Sequence, residues 1–221
     1  MDVNSYMTKE LVTIVPDTKI LYALDLMKKH NIHRLPVVDG NRLIGLITEG
    51  VIERNTPSTM TSLDMHEVNY LLNKTSVGDI MEKELYTIDK EALLEEAAIK
   101  MRQHNIGVLP VVEDNNHIIG IITDKDIFDA FVDVLGFYTP GVRVVVNVAE
   151  DRQGVLEELT DFFYEAEINI QQIAVYRKPD LIQVIIQVDS DEVTGIKASL
   201  EAKNYEVGSI IFKEPPAAPL N

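Results

Sequence analysis

The stretch 30-HNIHRLPVV-38 returns as 104-HNIGVLPVV-112, and the likeness runs well beyond these nine residues. Sliding the chain by 74 sets Met7 on Met81, Leu11 on Leu85, Thr13 on Thr87, Met27 on Met101 and Pro36 on Pro110. One added residue in the second copy's turn then sets Gly45 on Gly120 and Thr48 on Thr123. A repeat of this length is one supersecondary unit used twice. Each unit is too small to bury a core alone, so the two are expected to pack on one another.

Each copy has the same predicted elements. An extended piece (LVTI, LYTI) precedes a helix with Ile20, Ala23, Leu24 and Met27 on one face, matched by Leu94, Ala97, Ala98 and Met101. Asp17 or Thr18 is expected to cap the first helix, and Asp89 lies near the start of the second. Both helices are expected to stop at His30 and His104, where Asn31 and Asn105 tolerate a left-handed backbone. Two strands follow, joined by Asp39-Gly40-Asn41 or Asp114-Asn115-Asn116, and a further helix closes the unit.

After 136-GFYTPG-141 the pattern changes. RVVVNVA, a helix from about Gly154, a hairpin around Pro179-Asp180, a helix to about Lys203 and YEVGSIIF give β-α-β-β-α-β, a ferredoxin-like order. The predicted class is α+β, with a β-α-β-β-α pair in pseudo-two-fold packing and a ferredoxin-like C-terminal unit. The expected divisions are 1–60, a bridging helix in 61–76, 77–136, a linker at 137–141, 142–213 and a mobile proline-rich tail at 214–221. The bridging helix has Leu63, Val68, Leu71 and Leu72 on its apolar side. Its His66-Glu67 is no zinc helix, because the position needing a second histidine is Tyr70.

Composition bears mainly on partners. The chain has 36 acids against 20 bases, a net charge of −16, and the first 74 residues carry only one of those surplus acids. An acidic surface without a basic stripe repels a polyphosphate backbone, so no nucleic-acid partner is expected. There is no cysteine, no apolar run near the ~20 residues of a membrane span, and no basic-then-apolar start. No membrane partner and a cytoplasmic location are the expectations.

Residues 7–54 and 81–131 resemble a tandem pair of cystathionine-β-synthase (CBS) domains, a regulatory module that often binds adenine nucleotides. The resemblance is carried by the segments around Pro36 and Pro110 and above all by 120-GIITDKD-126. It implies a ribose site at Thr123 and Asp126, with Thr87, Val108, Pro110 and Thr48 as further nucleotide-binding candidates and AMP, ADP or ATP as the ligand. At 45-GLITEGV-51 the threonine is Thr48, but the carboxylate position is Val51. The lead-in His33-Arg34 resembles that of the gamma subunit of AMP-activated protein kinase, which implies contact with phosphate. Copy 2 keeps the carboxylate and lacks the cations; copy 1 has the reverse. One nucleotide is therefore expected with its ribose on copy 2 and its phosphate toward His33 and Arg34.

Plainer readings stand beside these. Thr48 and Thr123 also fit helix N-caps, His33-Arg34 fits a solvated strand edge, and Gly107 fits a turn residue as well as an opening for a flat base. Residues 142–212 resemble an ACT domain, with 150-EDRQGVL-156 and 167-EINIQQI-173 as the features. This implies a small metabolite such as an amino acid at Asp151, Gly154 and Asn169, or merely caps at those positions. The order of two CBS domains and one ACT domain resembles the acetoin-utilisation accessory proteins. The expected function is a non-catalytic ligand sensor, a homodimer or higher oligomer controlling a separate protein, with acetoin utilisation as the pathway that the resemblance implies. The alternatives are a dimerising scaffold with vestigial pockets, and an enzyme whose site is assembled from dispersed residues. No catalytic residue, catalytic cofactor or metal ligand is expected.

Overall fold

A computed structural model describes residues 1–56, 72–150, 152–179 and 181–214. The predicted bridging helix lies outside them except for its last turn, as do Asp151, Asp180 and the tail from residue 215. The chain divides into two compact units, Met1–Ile127 and Phe128–Asn221.

In the first unit, copy 1 consists of α1 (Ile20–His30), β1 (Arg34–Asp39), β2 (Arg42–Thr48) and α2 (Glu49–Asn55). A one-turn helix α3 (Val77–Ile80) then leads into copy 2, with α4 (Leu94–His104), β3 (Val108–Glu113), β4 (His117–Thr123) and α5 (Asp124–Val134). The strands form one sheet in the order β1-β2-β4-β3. The two copies agree in detail: Arg34 pairs with Thr48 as Val108 pairs with Thr123, and each hairpin has a register shift at the second valine of LPVV. Asn31 and Asn105 end their helices with φ of 52° and 53°, as expected of a left-handed cap.

The strand prolines fall where the ladder can spare a donor. β1 and β3 are the outer strands, and Pro36 and Pro110 lie on the same side as Val38 and Val112, whose N–H groups donate to Ile14 and Ile88 of the extended pieces. The expected caps are corrected. The residues before α1 and α4 are Lys19 and Leu93, with no side-chain cap. Thr18 Oγ1 instead accepts from Val15 N, and Asp89 accepts from Glu91 N, so both stabilise the preceding turn.

Each copy also sends its first residues onto the other copy. Thr8 and Ile121 exchange backbone hydrogen bonds of 2.9 and 3.0 Å, and Leu46 and Glu82 exchange two of 2.9 Å. This crossing explains the glycines of GLIT and GIIT. A Cβ on Gly120 would lie 2.5 Å from Met7 Sδ, and one on Gly45 would meet Met81 Sδ. Copy 1 buries Ile14, Ile20, Met27, Leu35, Val37, Ile47 and Val51 together. Val38, Leu43 and Ile118 pack across the join between copies.

The second unit has β5 (Gly141–Val148), α6 (Val155–Glu165), β6 (Ile170–Lys178), β7 (Leu181–Val188), α7 (Val193–Ala202) and β8 (Glu206–Lys213). The all-antiparallel order β6-β7-β5-β8 is the ferredoxin-like arrangement. Val142, Val144, Val146, Leu159, Phe163, Ile186 and Leu200 form its core, where the apolar face of each helix meets alternate residues of the strands.

The unit begins inside α5 rather than at residues 137–141, for a visible reason. Side chains of the sheet hold the chain that precedes it: Arg143 donates to Leu135 O at 2.7 Å, Gln172 to Asp133 O at 2.9 Å and Lys213 to Gly136 O at 2.9 Å.

Candidate functional site

Two clefts open on the first unit, related by the repeat. One encloses about 210 Å³ and is lined by Thr8, Glu10, Leu11, Val12, residues 31–34, Pro36, Ile121, Thr123 and Lys125. The other, about 430 Å³, is lined by Glu82, Glu84, Leu85, Tyr86, residues 105–108, Pro110, Leu46, Thr48 and Arg54, and again by His33 and Arg34. Each combines the lead-in of one copy with the threonine of the other. The crossing of Thr8 onto Ile121 and of Glu82 onto Leu46 brings them together.

The Thr123 cleft gathers the cations predicted from copy 1 and the hydroxyl predicted from copy 2. Asp126 stands beside it, its Oδ2 accepting from Thr123 N at 2.6 Å and from Thr123 Oγ1 at 2.8 Å. The amide bond is half of a capping box, so the helix-cap reading and the binding reading concern the same atoms. Asp126 Oδ1 makes no hydrogen bond among the described residues. Thr123 Oγ1 keeps lone pairs to accept with, having spent its proton on the carboxylate.

Copy 1 differs. Thr48 Oγ1 accepts from Val51 N at 3.2 Å, an ordinary N-cap, and the Val51 side chain is buried in the core. Val108 and Pro110 line the Thr48 cleft, as does Thr48. Thr87 is corrected: the lining residue is its neighbour Tyr86, and the Thr87 carbonyl is taken by Lys100 Nζ at 2.6 Å.

Arg34 is half-buried and donates through Nη1 to the Gly107 carbonyl at 2.6 Å, reaching from one copy to the other. Among the described residues its remaining N–H groups make no hydrogen bond, and they form a planar fork that suits phosphate. His33 Nδ1 lies 2.7 Å from Glu49 Oε2, with both side chains about half exposed. That partner was missed in the sequence. The available signal was that Glu49 and Asp124 occupy matching first-turn positions, beside His33 in one copy and Gly107 in the other. A Cβ on Gly107 would lie 3.0 Å from Asp124 Oδ2, so the glycine keeps that corner open. Lys125, two residues after Thr123 and on the wall of the same cleft, was also missed. It was hidden because a helix-start lysine between two aspartates reads as a solvated residue.

In the second unit a cavity of about 260 Å³ is lined by Val148, Arg152, Gly154, Val155, Leu156 and Glu157, by Val175 and Arg177 of β6 and by Ile182 and Val184 of β7. Gly154, with φ of 94°, precedes the first turn of α6 as predicted. Asn169 is corrected. Its carbonyl accepts from Asp189 N, next to Val188, which pairs with Val142 at the start of β5, whereas the Gly154 cavity lies at Val148 and Ile182. The two ends are separated by roughly 20 Å at ~3.3 Å per residue, so Gly154 and Asn169 do not share a site within one chain. Arg152 grips Glu158 by two 2.7 Å bonds, and Tyr205 Oη adds a third at 3.0 Å. Arg152 first and Tyr205 second hold the Glu158 carboxyl below the usual range.

Among the described residues no helix is long and apolar enough to cross a membrane, and no cluster of His, Cys, Asp or Glu could hold a metal ion.

Comparison with known proteins matches the repeat. The CBS domain family model covers residues 3–52 and 77–133. A CBS domain-containing protein of Dictyostelium discoideum is 35% identical over 134 residues, 60% of this chain and 92% of its own. The chain spans less of other curated relatives, 47% and 23% of the length of two of them. Among solved structures, the CBS domain pair of protein MJ0100, in complex with 5′-methylthioadenosine and S-adenosyl-L-methionine, is 29% identical with a TM-score of 0.50. The match covers 60% of this chain and 97% of that one. A Vibrio cholerae protein named for acetoin utilization (AcuB) is 28% identical with a TM-score of 0.52, over 62% of this chain and 94% of its own. A duplicated β-α-β-β-α unit, two clefts each shared between the copies, and a relative matched along nearly its whole length agree: this chain belongs to the CBS domain family and carries a CBS domain pair in its first unit.

Proposed function

We propose that the chain is a non-catalytic sensor of an adenine nucleotide, AMP, ADP or ATP, bound in the Thr123 cleft. The observation that carries this reading is the meeting of Thr123 from copy 2, whose hydroxyl donates to Asp126, with Arg34, His33 and Lys125 in one cleft. A ribose offers hydroxyl donors to a carboxylate and its phosphate takes charge-assisted bonds from a guanidinium or ammonium. Leu11, Val12, Ile32 and Pro36 supply the apolar wall that a base requires. The adenosine compounds named in the MJ0100 complex support the same ligand class.

The second unit is the ACT domain of this reading. It would take a carboxylate-bearing metabolite, such as an amino acid, near Gly154 and Asp151, with Arg152 and the first turn of α6 at hand. Asn169 would contribute only across a pair of such units. Ligand occupancy would control a separate protein in the cytoplasm, and the likeness to AcuB makes acetoin utilization the first pathway to test. Exposed Ile211 and Phe212 on the outer strand β8 favour a homodimer or larger assembly. A scaffold with vestigial pockets is the second reading, favoured by one observation: in copy 1 the threonine is only a cap and Val51 is buried.

Calorimetry with AMP and adenosine tests the main reading. Arg34→Ala is expected to weaken AMP by about 10- to 150-fold, the ~1.5–3 kcal/mol of a charged hydrogen bond, and to leave adenosine nearly unchanged. Equal losses for both ligands, or no loss for either, would remove Arg34 from the phosphate site. Absence of all nucleotide binding would favour the scaffold.

A further inference from the structure

The second unit already supplies a carboxylate to the arginine of its own cavity. Arg152 lines that cavity, and its guanidinium donates to Glu158 through Nη1 to Oε1 and Nη2 to Oε2, each at 2.7 Å. This is the bidentate geometry in which an arginine takes a free carboxylate. Both partners are about half exposed, so the pair is weak and can open without stranding a buried charge. On release, Glu158 keeps the Tyr205 hydroxyl, which donates to it at 3.0 Å, and gains water. Gly154 leaves the approach to the fork clear, since a Cβ there would meet nothing nearer than Arg152 Nη1 at 4.0 Å.

The rest of the wall specifies what could take the place of Glu158. Val148, Val155, Val175, Ile182 and Val184 line it, and a charged side chain lodged against them would lose its water without gaining a partner. Arg177, the other cation on the wall, has a partner of its own. The Glu157 carboxylate makes no hydrogen bond among the described residues, so it can accept from an ammonium group. At about 260 Å³ the cavity suits a ligand smaller than those of drug-sized pockets. We propose that Glu158 is an internal competitor for this site: it occupies the Arg152 fork until an amino acid with an apolar side chain enters the cavity, takes the fork with its carboxylate and frees Glu158. This inference rests on the reading of the cavity as a metabolite site.

The test is calorimetry of the full chain with L-valine, and with L-aspartate as the charged control. L-Valine is expected to bind about tenfold or more tightly than L-aspartate, whose second carboxylate would be buried unpaired. Glu158→Gln keeps the shape and removes the charge, so it should tighten L-valine by roughly two- to fivefold, the worth of a half-exposed ion pair that no longer has to open. Arg152→Ala is expected to weaken L-valine by about 10- to 150-fold. Carboxyl-carbon NMR reads the exchange directly: at saturating L-valine the Glu158 carboxyl, held low first by Arg152, should ionise nearer the ordinary value of 4.5. A Glu158 titration unmoved by L-valine, or Glu158→Gln binding it no more tightly than the wild type, would overturn the competition while leaving the cavity a metabolite site. L-Aspartate bound as tightly as L-valine would overturn the apolar class. No binding of any standard amino acid by the wild type or by Glu158→Gln would overturn the inference and the reading together.

Discussion

Gly120→Ala tests the crossing of the copies on which both clefts depend. The added Cβ would lie 2.5 Å from Met7 Sδ, 3.1 Å from Met7 Cγ and 3.2 Å from Thr8 O. The thioether can swing aside, but Thr8 O is pinned by the Ile121 N–H at 3.0 Å, while Thr8 N is bonded to Ile121 O at 2.9 Å. Overpacking of this kind costs ~1–3 kcal/mol. The backbone at Gly120 is not left-handed, so alanine recovers ~0.4–1 kcal/mol by restricting the unfolded chain. A net loss between about 0 and 2.6 kcal/mol is expected, concentrated where the segment crosses. Native-state hydrogen exchange reads this at the Thr8 and Ile121 amides, whose protection should fall together. Because Thr8, Glu10, Leu11 and Val12 line the Thr123 cleft, AMP affinity should fall as well. Met7→Ala removes the clashing side chain, so in the double variant the two losses should sum to less than the singles by at least ~0.5 kcal/mol. Strict additivity, or unchanged protection at Thr8 and Ile121, would refute the packing argument.

Asp126→Ala should weaken AMP by about 10- to 150-fold and Thr123→Ala by less, ~0.5–1.5 kcal/mol, since a charged acceptor outweighs a neutral hydroxyl; calorimetry giving the reverse order would remove the ribose site. In a carboxyl-carbon NMR titration, Glu158 should ionise below the ordinary glutamate value of 4.5, and Arg152→Ala should move it upward. A carboxyl depressed in the folded state stabilises that state above its unfolded pKa. The second unit therefore keeps the contribution of this ion pair at neutral pH and loses it as pH falls from 4.5 through the folded value. Light scattering should give at least twice the 24.9 kDa chain mass, and a value near 25 kDa over a wide concentration range would exclude the dimer.

The sequence by itself determined the duplication, the elements of each copy, the asparagine helix ends and the β-α-β-β-α-β order of the second unit. These follow from local rules: apolar periodicity, left-handed tolerance and turn chemistry act within a few residues. It also located residues of the Thr123 cleft and its border, because His33, Arg34 and Asp126 stand out where the copies differ and Thr123 stands out where they agree. Only the tertiary structure decided how the two copies meet at each cleft. That depends on Thr8 crossing to Ile121 and Glu82 to Leu46, and pairing across more than 100 residues in the first case leaves no periodic trace. It also decided the partners: Glu49 for His33, Gly107 O for Arg34, and Thr123 for Asp126. The ACT resemblance groups Asn169 and Gly154 in one site, yet the register of β5 with β7 sets them at opposite ends of a sheet. Local chemistry selects each element, and long-range pairing selects which functional groups meet, because only the folded backbone carries the distance between them.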